Sequence, residues 1–462
     1  MLLKDIEIII PVFWTAILCR LGLLIIILTI SAILMLGGSS MTGLKHIKIA
    51  AVAPPFSGHL YPLLGLLQPF LKNADYSIRV YTGLAKKEMV TASGFSCQVI
   101  HTEDPYVFER IANTEKKISV LGMLKQFSQY LAILDELSAE LEDAFSDYQP
   151  DMVIADFTAA PIALLYQKMS FKWITVIPTP FAIESSSGTP SYLGGLSPKN
   201  NLWGTLRDCS GRQFIHLFKR AAALLYHRRL ASYRFKIYNK QGLENLYSPE
   251  SIVAVGMKEF EFRDDFPPQL KWAGPAYLKR PSYPAEKTWN QPFAKRILVT
   301  NGTHLLWGKK EMLAITADLA SRHPQIQFLV SLGQEESAAA EKKLADNILI
   351  SPYLDYEMIL PQVDAVIHHA GAGITYACIR HCKPALAIPY DYDQPDYAAR
   401  LAWFGAGRRL KRSASLETID QEFTALLETA DWPALKELCH AAQTYTPADT
   451  VEKEINRLLG EI

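Results

Sequence analysis

Val366-Ile-His-His-Ala-Gly-Ala-Gly-Ile-Thr375 is the segment that most clearly indicates how this chain folds. Its apolar start predicts a short buried strand, its small residues a tight turn, and the residues after them a helix. Gly371 and Gly373 allow a close backbone approach and positive φ angles. The free N–H groups and the positive dipole end of that helix favour an anion, and His369 would add a side-chain donor. The sequence therefore predicts a diphosphate site, although a tight turn with packed histidines also fits.

A second polar loop, Ile388-Pro-Tyr-Asp-Tyr-Asp-Gln-Pro395, follows one strand–helix unit later. Pro395 suits the first position of a helix, so Asp393 and Gln394 lie between a strand end and a helix start. A carboxylate beside an amide offers both acceptors and a donor to sugar hydroxyls. Asp393 could instead cap the helix, and the two roles are compatible. Because both loops follow strands of one predicted parallel sheet, we expect them at the same carboxyl edge.

Strand and helix patterns alternate on both sides of a polar, proline-rich stretch at 281–292. This alternation is typical of doubly wound α/β domains, and 462 residues exceed what one core usually supports. Predicted strands are 46–53, 77–81, 152–155, 173–177, 252–255, 296–300, 326–331, 348–350, 365–368 and 385–389. Predicted helices are 62–71, 121–145, 161–169, 213–240, 310–321, 374–381 and 395–404. We therefore expect domains at 46–275 and 296–431, a linker at 276–295 and a helical tail at 432–462.

Charge and cysteine content argue against some classes of protein. Lys+Arg and Asp+Glu both number 47, so no basic excess favours nucleic acid as a partner. The six cysteines are scattered, which predicts reduced thiols in a cytoplasmic protein and not a disulfide framework. Cys378, His381 and Cys382 share one predicted helix but lack a second ligand cluster at zinc spacing, so they indicate core packing.

The first 45 residues differ from the rest because they are strongly apolar. Residues 21–38 carry no charge and are long enough to span a membrane. Two interpretations stay open by hydropathy alone. Residues 8–38 could anchor the protein to a membrane, or they could be an upstream extension before a natural start at Met41.

The predicted helix at 213–240 mixes basic and apolar residues. Its basic members are Lys219, Arg220, Arg228, Arg229, Arg234 and Lys236, and they alternate with Leu224, Leu225, Tyr226 and Phe235. Contact with an anionic membrane surface would explain this pattern, and a solvated helix face is the more ordinary explanation. Together with the Ser-, Gly- and Pro-rich loop at 185–198, this helix is expected to shape a pocket.

A third polar site surrounds His59, in Ser57-Gly-His-Leu-Tyr-Pro62. It follows the first predicted strand, so His59 is expected to point into the crevice at the carboxyl edge of the sheet. An imidazole titrates near neutral pH and suits a general base that takes a proton from a hydroxyl group. Asp156 ends another strand, where it could hold the second nitrogen of His59 or cap the next helix. His59 itself could simply be a helix-entry residue.

Residues 368–407 resemble the donor-binding signature of the UDP-glycosyltransferases, which include plant secondary-metabolite and bacterial macrolide glycosyltransferases. The resemblance rests on His369-Ala-Gly-Ala-Gly-Ile-Thr375, Lys383-Pro384, Pro389 to Pro395 and Gly405-Ala-Gly407, in the family's order and spacing. It extends over most of Ile47 to Gly407 and excludes the first forty residues. Lys383 and Ile374 depart from the family's usual glycine and hydroxyl residue, and Tyr353-Leu-Asp-Tyr356 replaces its Trp-x-Pro-Gln element.

The resemblance implies the GT-B fold, with two Rossmann-like domains and a cleft between them. It also implies transfer of a hexose from a UDP-sugar, with UDP-glucose expected first, by inversion and without a metal or other cofactor. His59 and Asp156 would be the catalytic residues, and the acceptor would be a lipophilic hydroxyl compound. Donor-binding residues would be Asn301, Gly302, Thr303, Tyr353, His369, Gly371, Gly373, Ile374, Thr375, Asp393 and Gln394.

Two other functions remain open at this point. A GT-B-type sugar-nucleotide epimerase would need acidic groups around the sugar ring and would form its product without any acceptor. A catalytically degenerate nucleotide-sugar-binding subunit is suggested by Ile374 and the altered base-binding element. The retention of His59, Asp393 and Gln394 argues against the degenerate subunit.

Overall fold

The computed structural model describes residues 46–112, 120–280, 293–303, 306–334 and 342–460. The described residues from Ile47 onward form one compact unit. The apolar segment at 8–38 and most of the predicted linker lie outside the described residues. Among the helices that are described, none is both long enough and apolar enough to cross a membrane.

The first sheet has seven parallel strands in the order β3-β2-β1-β4-β5-β6-β7. The strands are β1 Ile47–Val52, β2 Tyr76–Thr82, β3 Ser96–Val99, β4 Met152–Asp156, β5 Lys172–Ile177, β6 Ser251–Ala254 and β7 Leu270–Trp272. Sequence order reverses between β1 and β4, which leaves a crevice beyond their carboxyl ends. Asp156 is the last residue of β4, and His59 lies in the first turn of the helix that follows β1.

The second sheet also has seven strands, in the order β10-β11-β9-β8-β12-β13-β14. The strands are β8 Lys295–Thr300, β9 Ile326–Ser331, β10 Lys342–Ala345, β11 Ile348–Ser351, β12 Ala365–His368, β13 Ala385–Ala387 and β14 Gly407–Arg409. Only β10, at one edge, pairs antiparallel. The switch point lies between β8 and β12, so the loops after Thr300 and His368 are neighbours.

Helices cover both sheets. They are α1 Ser57–Leu67, α2 Lys87–Ala92, α3 Val107–Ala112, α4 Val120–Tyr148, α5 Ala160–Leu165, α6 Leu202–Leu225, α7 His227–Ser232, α8 Leu306–Arg322, α9 Tyr356–Ile359, α10 Ala372–Arg380, α11 Gln394–Trp403, α12 Leu416–Glu428, α13 Pro433–Thr444 and α14 Pro447–Leu459. With helices on both faces, the central strands are buried throughout, as in β4 and β9. The predicted α/β architecture is confirmed.

Helices α1 and α6 start at least five residues before their predicted bounds, and the helix predicted at 213–240 ends at Leu225 and is followed by the short α7. Helix α1 begins at Ser57 and contains Pro62 as its sixth residue, so Pro62 does not open the helix. Helix α6 begins at Leu202, where the Asn201 side chain accepts a hydrogen bond of 2.7 Å from the Gly204 N–H. That cap is an N-terminal signal upstream of the predicted start at residue 213.

The last helix returns to the first domain. In α14, Val451 and Ile455 are fully buried in the same cluster as Leu60 of α1. The Ser251 hydroxyl of β6 donates to the Glu454 carboxylate over 2.7 Å. The tail therefore ties the end of the chain to the first sheet and is part of the core.

The prediction of six reduced thiols is wrong for two cysteines. Cys382, just after α10, and Cys439, in α13, form a disulfide with a Cα–Cα distance of 5.5 Å. The two residues are 57 positions apart and meet because α10 packs against α13. Sequence spacing gave no indication of this contact. Buried Cys378 stays free, and the third member of the former group, His381, pairs with Glu357.

We expect reduction of this disulfide to destabilise the protein by about 4 kcal/mol, because the unfolded chain regains the entropy of a 57-residue loop. Thermal unfolding with and without dithiothreitol measures this loss. In Cys439→Ser the reductant should have no further effect. An unfolding temperature of the wild type that ignores the reductant would contradict this expectation.

Candidate active site

His59 and Asp156 meet at the carboxyl edge of the first sheet. The His59 Nδ1 lies 3.1 and 3.2 Å from the two carboxylate oxygens of Asp156. An ionised carboxylate only accepts hydrogen bonds, so Nδ1 carries the proton and Nε2 is the basic nitrogen. Asp156 is buried, and His59 is half-buried beside the ring of Phe157. The same carboxylate accepts from the backbone N–H and hydroxyl of Thr158, which fixes its orientation.

The charges around His59 come from both domains. Burial lowers the pKa of His59, but the charge and hydrogen bond of Asp156 and the charge of Asp393 raise it by more in total. The net pKa lies above the ordinary value of 6.5. Asp393 belongs to the second domain, so the two sites lie close enough to interact electrostatically.

Asp393 lies at the N-cap position of α11, but its side chain makes no capping hydrogen bond. Its Oδ2 instead accepts a hydrogen bond of 3.2 Å from the Thr179 hydroxyl, which follows β5 in the first domain. Burial raises the pKa of Asp393, and the charge of His59 opposes that rise. The carboxylate therefore lies at the junction of the two domains, beside the loop that precedes α11.

Gln394 shapes this loop from within. Its carbonyl oxygen accepts hydrogen bonds from the backbone N–H groups of Tyr390 and Asp391, at 2.8 and 3.2 Å. The side chain is buried. The carbonyl oxygen of Gln394 is thus occupied by backbone N–H groups, and its NH₂ group is the part that can donate a hydrogen bond to a sugar hydroxyl.

The turn after β12 has a different backbone from the one predicted. The residue with positive φ is Ala370, at 64°, whereas Gly371 has an extended φ of −70° and Gly373 lies inside α10. His368 stabilises this conformation because its Nδ1 accepts a hydrogen bond of 2.9 Å from the Ala370 N–H. Burial lowers the pKa of His368 to about 3, helped by the charge of His369, so His368 is neutral.

The two glycines of the turn differ in what surrounds them. A Cβ atom on Gly371 would collide with the imidazole of His369, and one on Gly302 would lie 2.7 Å from that ring. His369 is therefore clamped between the turns that follow β8 and β12. A Cβ atom on Gly373 would meet nothing within 4 Å. Gly373 borders open space at the N-terminus of α10, where an anion is favoured.

Several other predicted donor residues lie at the same edge. Asn301 and Thr375 are buried, and within the described residues their side-chain polar atoms have no hydrogen-bond partner. Such groups are costly to bury unless a ligand or water satisfies them. Ile374 is buried beside Thr375, and Thr303 is half-buried after Gly302.

Tyr353, the predicted base-stacking residue, follows β11 at this edge of the second sheet. The guanidinium of Arg280 lies 4.3 Å from the Tyr353 ring centre and 4.9 Å from that of Tyr61. One face of Tyr353 is thus covered by a cation. A base would stack on the other face or displace Arg280.

A small apolar cavity adjoins the His59–Asp156 pair. It is lined by residues that follow β1 and β4 and by helices α3 and α4, including Pro54, Phe108, Tyr130, Leu137, Thr158 and Pro161. Thr158 also holds the Asp156 carboxylate, so the cavity and the pair share a wall. Most of its lining side chains are apolar, and the space between them is about the size of one water molecule.

A buried ion pair joins α11 to the first domain. The Arg400 guanidinium donates to Glu261 over 2.8 Å, and both side chains are at most 1% exposed. The guanidinium also lies 4.0 Å from the ring centre of Phe181 and 4.4 Å from that of Phe262. These contacts fix the helix that starts with Gln394. Neither Arg400 nor Thr179 was predicted as part of the site, although Thr179 follows a strand end, where polar residues often serve a ligand.

We expect Arg400→Met to destabilise the protein by about 3–5 kcal/mol, because it leaves the Glu261 carboxylate buried and unpaired. Arg400→Met with Glu261→Leu should recover most of that loss. Arg408→Met is the control, since the Arg408–Glu422 pair is 34% and 36% exposed and should contribute about 1 kcal/mol or less. Urea unfolding measures the stability of all three variants. An Arg400→Met protein as stable as Arg408→Met would contradict the expectation.

Comparisons with known proteins identify similar glycosyltransferases. The family described as Erythromycin biosynthesis protein CIII-like, C-terminal domain, matches residues 327–459. This range includes the loops that follow β12 and β13. The 4'-demethylrebeccamycin synthase of Lentzea aerocolonigenes is 22% identical over 433 residues, covering 89% of this chain and 99% of that protein. The zeaxanthin glucosyltransferase of Pantoea ananas is 23% identical over 392 residues, covering 83% and 89%.

Solved structures share the fold. The glycotransferase of kitacinnamycin superimposes with a TM-score of 0.66 at 18% identity, covering 89% of this chain and 100% of that one. The glycosyltransferase VinC in complex with dTDP gives a TM-score of 0.62 at 16% identity, covering 90% and 100%. The predicted GT-B architecture is confirmed by these similarities. The chain is a glycosyltransferase of the GT-B type and is similar to members of the UDP-glycosyltransferase family.

Proposed function

We propose that this glycosyltransferase moves a hexose from a UDP-sugar, with UDP-glucose as the first choice, to a hydroxyl group of a lipophilic small molecule. Transfer proceeds with inversion and without a metal or other cofactor. The observation that carries the proposal is the His59–Asp156 pair at 3.1 Å, with Asp393 of the second domain close enough to raise the pKa of His59. A base from one domain and a sugar-binding carboxylate from the other suit a reaction in the cleft.

In the proposed reaction, the acceptor oxygen attacks the anomeric carbon as its proton passes to His59 Nε2. The bond from that carbon to the diphosphate breaks, and the diphosphate leaves with the electron pair. Asp156 stabilises the imidazolium that forms, as a triad carboxylate does. The N-terminus of α10, His369 and the open space at Gly373 would stabilise the departing diphosphate.

Three observations support the choice of substrates. The residues around Thr158, beside the His59–Asp156 pair, are mostly apolar, which favours a lipophilic acceptor. The relative named as a zeaxanthin glucosyltransferase favours glucose as the sugar. The similar fold of VinC in its dTDP complex makes thymidine the second nucleotide to test.

The test combines the purified protein with UDP-glucose or dTDP-glucose and a panel of planar phenols and long-chain alcohols. Both donors are α-linked, so proton NMR of a glucoside should show the β configuration, and a chelator should leave the rate unchanged. An α-linked product would contradict inversion. A sugar isomer formed without any acceptor would indicate an epimerase, and faster turnover of the thymidine donor would overturn the choice of UDP.

Gly373→Ala provides a second check. We expect it to weaken nucleotide binding at least tenfold, because the new methyl group enters the space assigned to the diphosphate. It should also stabilise the folded protein by about 0.5–1 kcal/mol, since alanine is the better helix former. Gly58→Ala is the matched control, at the same position of α1 and with no atom within 4 Å. It should give the same stabilisation with unchanged nucleotide affinity, and equal affinities for both variants would contradict the assignment.

A further inference from the structure

Helix α6 has an exposed apolar face. Seven of its large apolar side chains are at least 50% exposed, and Trp203 reaches 79%. They are Leu202, Trp203, Leu206, Phe214, Leu217, Leu224 and Leu225. Most of them follow one another at three-, four- and seven-residue steps, so they share one side of the helix. A face of this length, about 36 Å for 24 residues, is unusual on a water-exposed surface.

The opposite side of α6 is the one that packs on the protein. Gly204, Asp208 and Gly211 are its buried residues. Asp208 accepts a hydrogen bond of 2.8 Å from the Thr189 hydroxyl. Cβ atoms on Gly204 and Gly211 would collide with the preceding loop, which explains the small residues at these positions. The orientation of the helix is therefore fixed, with its apolar side turned outward.

The surroundings of this face are strongly basic. Residues 199–240 contain ten Lys and Arg residues and one acidic residue, Asp208, in a chain whose formal net charge is zero. Five of the basic side chains are exposed on α6 or after it: Arg220, Arg228, Arg234, Lys236 and Lys240. A binding partner that complements this region must therefore offer both an apolar surface and negative charge.

We propose that α6 is a docking surface for a lipid bilayer that contains anionic headgroups. The helix would lie in the plane of the interface, with its apolar side chains among the acyl chains and its basic neighbours at the headgroups. A second copy of this chain is disfavoured as the occupant, because it would bring two such basic segments together. The proposal is independent of the transfer reaction, since it concerns a surface and no reacting group.

The surface is connected to the proposed active site. Beyond Thr189, the same loop reaches Tyr192, whose N–H donates to Asp396 of α11 over 2.9 Å. Gly195 packs against the carbonyl group of Pro395. A bilayer on α6 would thus lie beside the loop that closes over α11.

The first experiment follows a single side chain of α6, so that vesicle binding through residues 8–38 is not mistaken for contact of α6 with the lipid. Trp203 emission is obtained as the difference between the wild type and Trp203→Phe, both as full chains. Vesicles of equimolar phosphatidylcholine and phosphatidylglycerol should shift this emission to the blue and protect Trp203 from iodide. Phosphatidylcholine vesicles alone should do neither. Emission of Trp203 that does not respond to the anionic vesicles would overturn the proposal.

Charge and apolar variants separate the two parts of the surface, with the Trp203 response as the readout. Reversing Arg220, Arg228 and Arg234 to Glu should raise the lipid concentration needed for half the response by at least about 100-fold. Leu217→Ser with Leu224→Ser should raise it at least tenfold without changing the unfolding temperature, because both side chains are already exposed. The control, Lys342→Glu with Lys411→Glu, changes exposed lysines of the second domain and should have no effect. Equal effects of the control and the α6 variants, or a concentration-dependent dimer that the leucine variants abolish, would contradict lipid docking.

Discussion

Replacing His59 by alanine is expected to lower kcat about a thousandfold, within the usual contribution of a general base. The reason is that the acceptor hydroxyl would lose the only imidazole that the structure pairs with a buried carboxylate at the carboxyl edge of the first sheet, among the described residues. The affinity for UDP should stay unchanged, because the diphosphate is assigned to the second domain. Steady-state kinetics with nucleotide titrations check both parts. A kcat that remains within threefold of the wild type would remove His59 from the proposed mechanism.

The protonation of His59 also sets the direction in which the transfer rate should change with pH. His59 acts as a base only when neutral, so the rate should fall as the pH drops through its pKa, which lies above 6.5. In Asp156→Asn the main group that raises this pKa is gone, while burial still lowers it. The acidic limb should therefore move to lower pH, together with a lower maximal rate. A limb that stays in place would show that His59 is not the titrating group.

Replacing His369 by alanine is expected to weaken UDP binding by about 10- to 100-fold, the value of one or two hydrogen bonds to a charged group. The imidazole is held between the turns at Gly302 and Gly371, so it is preorganised at the assigned diphosphate site. Isothermal titration with UDP measures the effect.

His381→Ala is the matched control for this variant. His381 follows the far end of α10 and lies 3.2 Å from Glu357, at the opposite end of the helix from the turn. It should bind UDP like the wild type. If both variants lost affinity equally, the effect would be a general weakening of α10, and His369 would not be a diphosphate ligand.

Much of the fold could be predicted from the sequence because central parallel strands are continuous apolar runs. Strands β9 and β12 have the predicted bounds, Ile326–Ser331 and Ala365–His368. Strands β3, β7, β10 and β14 were missed. They have three or four residues each and lie at or near sheet edges, where partly exposed positions interrupt the apolar pattern.

Contacts between residues at neighbouring strand ends could be predicted from the sequence. Contacts that depend on how the two domains pack could not. Asp156 ends β4 and His59 comes soon after β1, the neighbouring strand, so parallel pairing alone brings them together. The contact of Asp393 with Thr179 requires both domains, and the positive φ of Ala370 depends on a hydrogen bond to His368. Neither effect leaves a periodic signal in the sequence.

Thermal unfolding with UDP, dTDP, UDP-glucose and UDP-N-acetylglucosamine shows whether the carboxyl edge of the second sheet holds a nucleotide-sugar site. A ligand at a hundred times its Kd stabilises the folded state by about 2.7 kcal/mol. We predict that UDP and UDP-glucose raise the unfolding temperature of the wild type and that most of this rise is lost in His369→Ala. No rise with any nucleotide would contradict a nucleotide-sugar site, and an equal rise in both proteins would contradict its placement at His369.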